Sequence, residues 1–298
     1  MNTQKQIKQD YIDYLKSRHN TRHTIDNKLG YLNHFFKWLE REGLSVQDCS
    51  YGDLLGYVKK VRSEIPGIDY QNRHVHSVRQ LYASEVVNGR MTSSPMGNLV
   101  IRGRVARLPH DLLTPEQLQK IYDSYLPQTD YQVRNKVILG LYINQGLIRT
   151  EVNQLQVQDI DLVKGRVSIR KNIKLAERTL PLAAYQVLIL SDYIGRVRPQ
   201  LLKQSEYEKG DRLFFTYAHG QTVNEAVRKL LLTIRKKHPE LKTLKQIRSS
   251  VVSQWAKEKP IREAQYMSGH SVIASTQRYK DASMEDLQAS LNEFHPLK

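Results

Sequence analysis

A chain of 298 residues that is 40% hydrophobic can bury a core as one large domain or two ordinary ones, which excludes wholesale disorder. Its 46 Lys and Arg against 30 Asp and Glu leave a formal charge of +16. Its one cysteine, Cys49, excludes an internal disulfide and a zinc finger or ribbon. The basic excess is spread along the chain: residues 1–107 carry 17 basic against 10 acidic side chains, and the remainder 29 against 20. A basic balance in both halves points to a long polyanion, nucleic acid first, held along both parts. No run approaches the roughly 18 apolar residues of a spanning helix. MNTQKQIKQDYIDYL has no apolar core of signal-peptide type. A soluble protein of the cytoplasm, free or nucleoid-associated, is expected.

The fold class expected is mainly α with a small β-sheet. Residues 3–18 place Ile7, Tyr11 and Leu15 on one helix face. Thr21 or Thr24 caps a second helix with a stripe through Leu32, Phe35, Phe36 and Leu39, ended by Gly43. A third covers about 51–64 and stops before Pro66, and a fourth runs from about Tyr70 to Val87. These four helices read as a bundle, with Arg73, His74, His76 and Arg79 of the fourth free to face a phosphate backbone. From Ser94 to His110 the periodicity lapses. Arg102, Arg104 and Arg107 there suit a linker that crosses DNA. Thr114 and Pro115 then start a helix, RNKVILGLYINQG reads as a buried one, and GRVSIRKNIKLAERTLPL alternates about a polar tip as a β-hairpin. Helices follow near 183–203 and 222–236. At the end, Ser283 with Asp286 makes a capping-box pattern before a stripe of Met284, Leu287, Leu291 and Phe294.

The densest chemistry lies in KQIRSSVVSQWAKEKPIREAQYMSGHSVIASTQRYK. Lys245 and Arg248 share a helix face, His270 follows a glycine in SGHS, and Tyr279 closes a Thr-x-x-Tyr at Thr276. There is no carboxylate pair and no metal-ligand cluster in it. Two cations, an imidazole and a phenol suit the holding of a phosphodiester while an oxygen nucleophile attacks, because phosphoryl transfer is mostly positioning and charge stabilisation.

These residues resemble the tyrosine recombinase (phage integrase) superfamily, most like its Xer-type and integrase branches, over essentially the whole chain. Gln265, then Gly269-His270-Ser271, then Thr276-x-x-Tyr279 mirrors the family pattern, with the tyrosine nine positions after the histidine and Arg248 22 positions before it. The resemblance implies a SAM-like core-binding helical domain over about 1–100, a linker at 101–111 and a catalytic domain over 112–298, with a C-terminal docking helix near 284–294. It implies site-specific cleavage and rejoining of DNA through a 3′-phosphotyrosyl intermediate, for integration, excision or inversion, without metal, ATP or other cofactor. Tyr279 would be the nucleophile. A phenol titrates near 10 and needs help at neutral pH, which Arg248 and His270 could give. Lys245 stands where many members have histidine. The general-acid lysine expected on the hairpin would be Lys174, with Lys171 as the alternative. The partners implied are duplex DNA with paired recognition sites and further copies of the chain in a tetramer, with an accessory protein as a further candidate and no membrane.

One motif departs from the family. Where Gly-Leu-Arg-x-Ser-Glu is usual, this chain reads Gly146-Leu147-Ile148-Arg149-Thr150-Glu151. Arg149 is therefore either the catalytic arginine in a shifted register or a DNA-backbone contact with the first position lost, since one step on a helix turns a side chain by about 100°. Two further readings follow. One is a DNA-binding accessory protein on a recombinase scaffold with weak or lost catalysis. The other is a monomeric type IB topoisomerase-like relaxase.

Overall fold

The computed structural model describes residues 2–97, 99–103, 110–172, 175–204, 210–215 and 222–281. Lys174, Arg104, Arg107 and the expected docking helix near 284–294 lie outside them. The chain divides into two compact units, Met1–Ala106 and Arg107–Lys298.

The first unit holds α1 (Asn2–Ser17), α2 (Arg22–Glu42), α3 (Tyr51–Glu64) and α4 (Ile68–Val87). Local chemistry sets their ends. The Thr21 hydroxyl accepts the Thr24 N–H at the start of α2, and Gly43 closes it in the left-handed conformation at φ 68°. Ser50 and Asp53 bond each other's backbone N–H across the start of α3. The apolar stripes of α1, α2 and α3 turn onto α4, and Tyr11, Leu32, Phe35, Tyr57, Leu81 and Tyr82 are wholly buried between them. One charged group is as deep as these. Glu85 of α4 has no exposed side-chain surface and takes the Arg90 fork at 2.6 and 2.8 Å, while Arg90 also reaches Asp10 of α1 at 2.6 Å. Breaking such a buried pair by removing one partner costs about 3–5 kcal/mol, so the network ties α1 to α4.

The second unit is built on α6 (Asp130–Gln145), buried along most of its length and packed by α5 (Pro115–Ser124), α8 (Ala184–Asp192), α9 (Arg198–Gln204), α10 (Asn224–Arg235) and α11 (Leu244–Glu258). Short α7 (Arg149–Gln154) follows α6, and α12 (Ile261–Ser268) follows α11. The stretch near 183–203, read as one helix, is α8 and α9 joined through a wider turn, Tyr193–Val197. The hairpin is present as β2 (Arg166–Ile169) against β3 (Arg178–Pro181), with Val167 opposite Leu180 and Ile169 opposite Arg178. A two-residue strand, β1 (Ile160–Asp161), adds an antiparallel edge to β2 that alternation in so short a segment does not reveal. Residues 274–281 form a last helical stretch. Among the described residues no helix is long and apolar enough to cross a membrane.

The fourth helix corrects one expectation. His74 does not face outward. It is 5% exposed, its ring packs on those of Tyr31, Tyr70 and His34, and its Nδ1 has no hydrogen-bond partner. Spacing places it with Val75 and Val78 on the inner side, and a histidine there is held neutral. Burial first, and neighbouring His34 second, draw its pKa from 6.5 to about 4. The unfolded chain binds that proton more readily, so stability is lost as pH falls through this window. We expect the first unit to lose about 2–3 kcal/mol between pH 6.5 and 4 from this group. Urea unfolding followed by Trp38 fluorescence in a Trp255→Phe background checks it. The loss should shrink in His74→Phe, and equal pH slopes would exclude His74 as its source.

Candidate active site

Two buried arginines organise the site. Thr243 and Gln246 cap α11 reciprocally, at 3.0 and 3.4 Å, and Lys245 stands exposed in the first turn. One turn later Arg248 points inward at 8% exposure. It donates to the carbonyl of Gly146 at the end of α6 and, at 2.5 Å, to that of Ser268 at the end of α12. Burial draws its pKa down from the usual arginine range, Glu151 opposes this, and Arg178 adds to it. A guanidinium stays charged through such a shift. Gly146 is held to glycine twice over. Its φ is +55°, and a Cβ would stand 3.1 Å from Val251 Cγ1.

Arg178 begins β3 on the inward face, where the alternation of Leu180 and Leu182 calls for an apolar residue. Neither its side chain nor that of Glu151 has exposed surface. The guanidinium forks onto the carboxylate at 2.7 and 3.2 Å, and its Nε donates to the Met267 carbonyl at 2.8 Å. Glu151 Oε2 also accepts the backbone N–H of Ile148 at 2.9 Å. A single ion pair thus joins the turn before α7, the hairpin and the end of α12. Gly269 leaves room for it, since a Cβ there would lie 2.6 Å from Arg178 Nη1 at a φ of +68°.

The histidine turn is stitched to the hairpin. Ala176 N–H donates to Gly269 O at 2.8 Å, and Leu175 bridges His270. Gln265 holds both backbone polar groups of His270. Its carbonyl accepts the His270 N–H at 3.1 Å, and its amide donates to the His270 carbonyl at 3.0 Å. His270 Nδ1 lies 2.9 Å from Thr276 Oγ1. Its ring lies nearly parallel to that of half-buried Tyr279, with centroids 6.1 Å apart. Burial, then Arg248, Arg178 and Arg278, lower the imidazole pKa from 6.5 to about 4, so the ring is neutral at pH 7.

Arg248, His270 and Tyr279 therefore converge, as their spacing suggests. Lys245 lies one turn before Arg248 on the solvent side. Arg149 is exposed at the first position of α7 and its side chain makes no hydrogen bond or ion pair among the described residues, while Ile148 before it is half-buried. Lys171 is exposed, and Lys174 lies outside the described residues. In the first unit Arg73 and Arg102 are exposed, and half-buried Arg79 donates to His76 Nδ1 at 2.8 Å. Asn72 pins the Ile101 backbone in both directions, at 2.8 and 2.9 Å, so that the strap at 99–103 and α4 enclose a cleft lined by Arg73, His76 and Arg79. Among the described residues no group of three or more His, Cys, Asp or Glu could hold a metal ion.

Sequence reasoning passed over Arg178, Gln265 and Thr276 as working parts. The signal for Arg178 was a charged residue in phase with the apolar face of its own strand. The signal for the other two was a place inside the motif that located His270 and Tyr279.

A helical unit is thus followed by a helical unit with a small antiparallel sheet. The model of the phage integrase family matches residues 111–286. Tyrosine recombinase XerD of Staphylococcus epidermidis is 32% identical over 292 residues, which cover 96% of this chain and 88% of that one. Tyrosine recombinase XerC of Oceanobacillus iheyensis is 22% identical over 296 residues, covering 96% and 94%. Among solved structures, XerH site-specific recombinase bound to palindromic difH substrate in a post-cleavage complex matches with a TM-score of 0.74 at 16% identity, over 93% of this chain and 81% of that one. A lambda integrase dimer bound to a COC′ core site matches at 0.61 and 16% identity, over 91% and 93%. The chain belongs to the phage integrase family, the tyrosine recombinases. Membership brings the class of reaction with it: site-specific cleavage and rejoining of DNA strands.

The two kinds of arginine should separate in stability. Arg178→Ala leaves Glu151 buried without its counter-charge, an expected loss of about 3–5 kcal/mol. Arg149→Ala, on the surface, should change stability by less than about 0.5 kcal/mol. Equilibrium urea unfolding measures both, and an Arg178→Ala protein as stable as the parent would refute the buried-pair assignment.

Proposed function

We propose that this chain is a site-specific DNA recombinase whose nucleophile is Tyr279. The observation that carries the reading is the convergence of Arg248, neutral His270 and Tyr279 at the joint of α11, α12 and the last helical stretch. The Tyr279 oxygen attacks the scissile phosphorus and passes its proton to water, and the phosphorus–O5′ bond breaks. The leaving O5′ takes a proton from Lys174, with Lys171 the alternative donor. A 3′-phosphotyrosyl link and a 5′-hydroxyl result, and reversal on a new 5′-hydroxyl rejoins the strand. The intermediate keeps the energy of the phosphodiester, so no nucleotide is consumed. Arg248 and His270 face the non-bridging oxygens, and Lys245 adds a donor from the exposed turn of α11. We assign Arg149 to the phosphate as the family's first arginine in a shifted register, because it stands unpaired on a turn that Glu151 and Arg248 hold at both ends.

The basic first unit grips the flanking duplex through Arg73, Arg79 and Arg102, and Arg104 and Arg107 belong to the segment that crosses it. XerH and lambda integrase are DNA-bound in their structures, the latter as a dimer. By likeness this chain acts in the cytoplasm as a tetramer on paired sites, with the segment near 284–294 docking on a neighbouring copy.

A nicked suicide duplex carrying the site the protein protects from nuclease should trap a covalent adduct. Tyr279→Phe should bind that duplex and form none. Arg149→Ala should slow adduct formation by about 10²–10³ if it holds the phosphate, and an unchanged rate would remove it from the site. A wild-type protein that binds but never forms an adduct would leave the accessory DNA-binding reading in its place. In the same duplex, Arg73→Ala should weaken binding regardless of sequence and reduce the salt slope by about 1.

A further inference from the structure

Thr276 has no exposed surface and sits three residues before Tyr279 in the last helical stretch, so its hydroxyl and the phenol leave the same side of one turn. That hydroxyl is 2.9 Å from Nδ1 of His270. Gln265 already holds the N–H and the carbonyl of the histidine. Nε2 is then the one polar atom of His270 without a partner among the described residues.

A neutral imidazole carries a single N–H, and the bond made at one ring nitrogen decides which nitrogen has it. The oxygens of a phosphodiester only accept. Nε2 can serve them only if it carries the proton, and Nδ1 must then accept from a neighbour. A threonine hydroxyl supplies that donor; a valine of the same shape supplies none. The ring is neutral here because burial, and then three guanidinium groups, oppose a further charge.

We infer that Thr276 is a positioning residue that donates its hydroxyl proton to Nδ1 of His270, fixes the Nε2–H tautomer and aims that N–H at the scissile phosphate. This rests on the recombinase reading of the same site. It gives the Thr-x-x-Tyr pattern a physical content. The spacing of three couples the orientation of the imidazole to the placement of the nucleophile, and the two rings lie within 18° of parallel as a result.

The test joins two measurements on the full chain. Multiple-bond proton–nitrogen spectra of protein labelled with nitrogen-15 histidine report each ring's tautomer, and His270→Gln identifies the resonances of interest. Wild-type His270 should show Nε2–H with Nδ1 accepting, and Thr276→Ser should keep that pattern. Thr276→Val should lose it. In single-turnover cleavage of the nicked duplex, Thr276→Val should be slower by about ten- to a hundredfold with unchanged DNA affinity. That is less than the roughly 10²–10³ for losing a phosphate donor outright. Thr276→Ser should recover most of the rate. A wild-type ring in the Nδ1–H tautomer, or a Thr276→Val protein that cleaves like wild type, overturns the inference. The spectra decide it on free protein even if a variant folds poorly. Failure of wild type to form any adduct counts against the recombinase reading instead.

Discussion

Glu151 and Arg178 have no exposed side-chain surface, and each is the other's counter-charge. The rest of the second unit's working end hangs on them. A charge taken out of water is tolerated only with a well-placed partner and its remaining hydrogen bonds met. Here the carboxylate also takes the Ile148 N–H and the guanidinium the Met267 carbonyl. Three segments far apart in sequence are thereby held in one geometry, and Gly269 has no side chain because the guanidinium occupies the space a Cβ would need.

Arg248 works in the same manner from the other side. It bonds the carbonyls that end α6 and α12, so it is both a structural tie and a cation whose charge acts on the phenol and the imidazole. A site built this way is rigid, since buried hydrogen bonds hold the Arg248 guanidinium on both sides. The accumulated positive charge has a second effect. It adds to burial, the larger cause, in lowering the imidazole pKa of His270 from 6.5 to about 4.

The basic surface of the first unit has a different construction. Among its described residues Arg73 and Arg102 are exposed, and half-buried Arg79 donates to His76. The four-residue group on α4 divides by phase. Arg73, His76 and Arg79 border the cleft, and His74 turns into the aromatic core with Tyr31, Tyr70 and His34.

Much of this was legible in the order of residues. Periodicity and caps marked the four helices of the first unit, the buried α6 and the hairpin, because hydrophobic phase and backbone capping are local properties. Spacing alone brought Arg248, His270 and Tyr279 into one group, since a turn and a short helix leave little freedom between them. Spacing could not say that Arg178 would lie inside. A charge is buried only where another segment supplies its partner, and Glu151 is 27 residues away. Nor could it say that Gln265 and Thr276 would hold His270 from two sides. The residues thus determined the elements and the chemistry at hand. The tertiary structure decided which neighbours hold His270, and which charges are buried and paired, because a buried charge takes its partner from a segment far away in sequence.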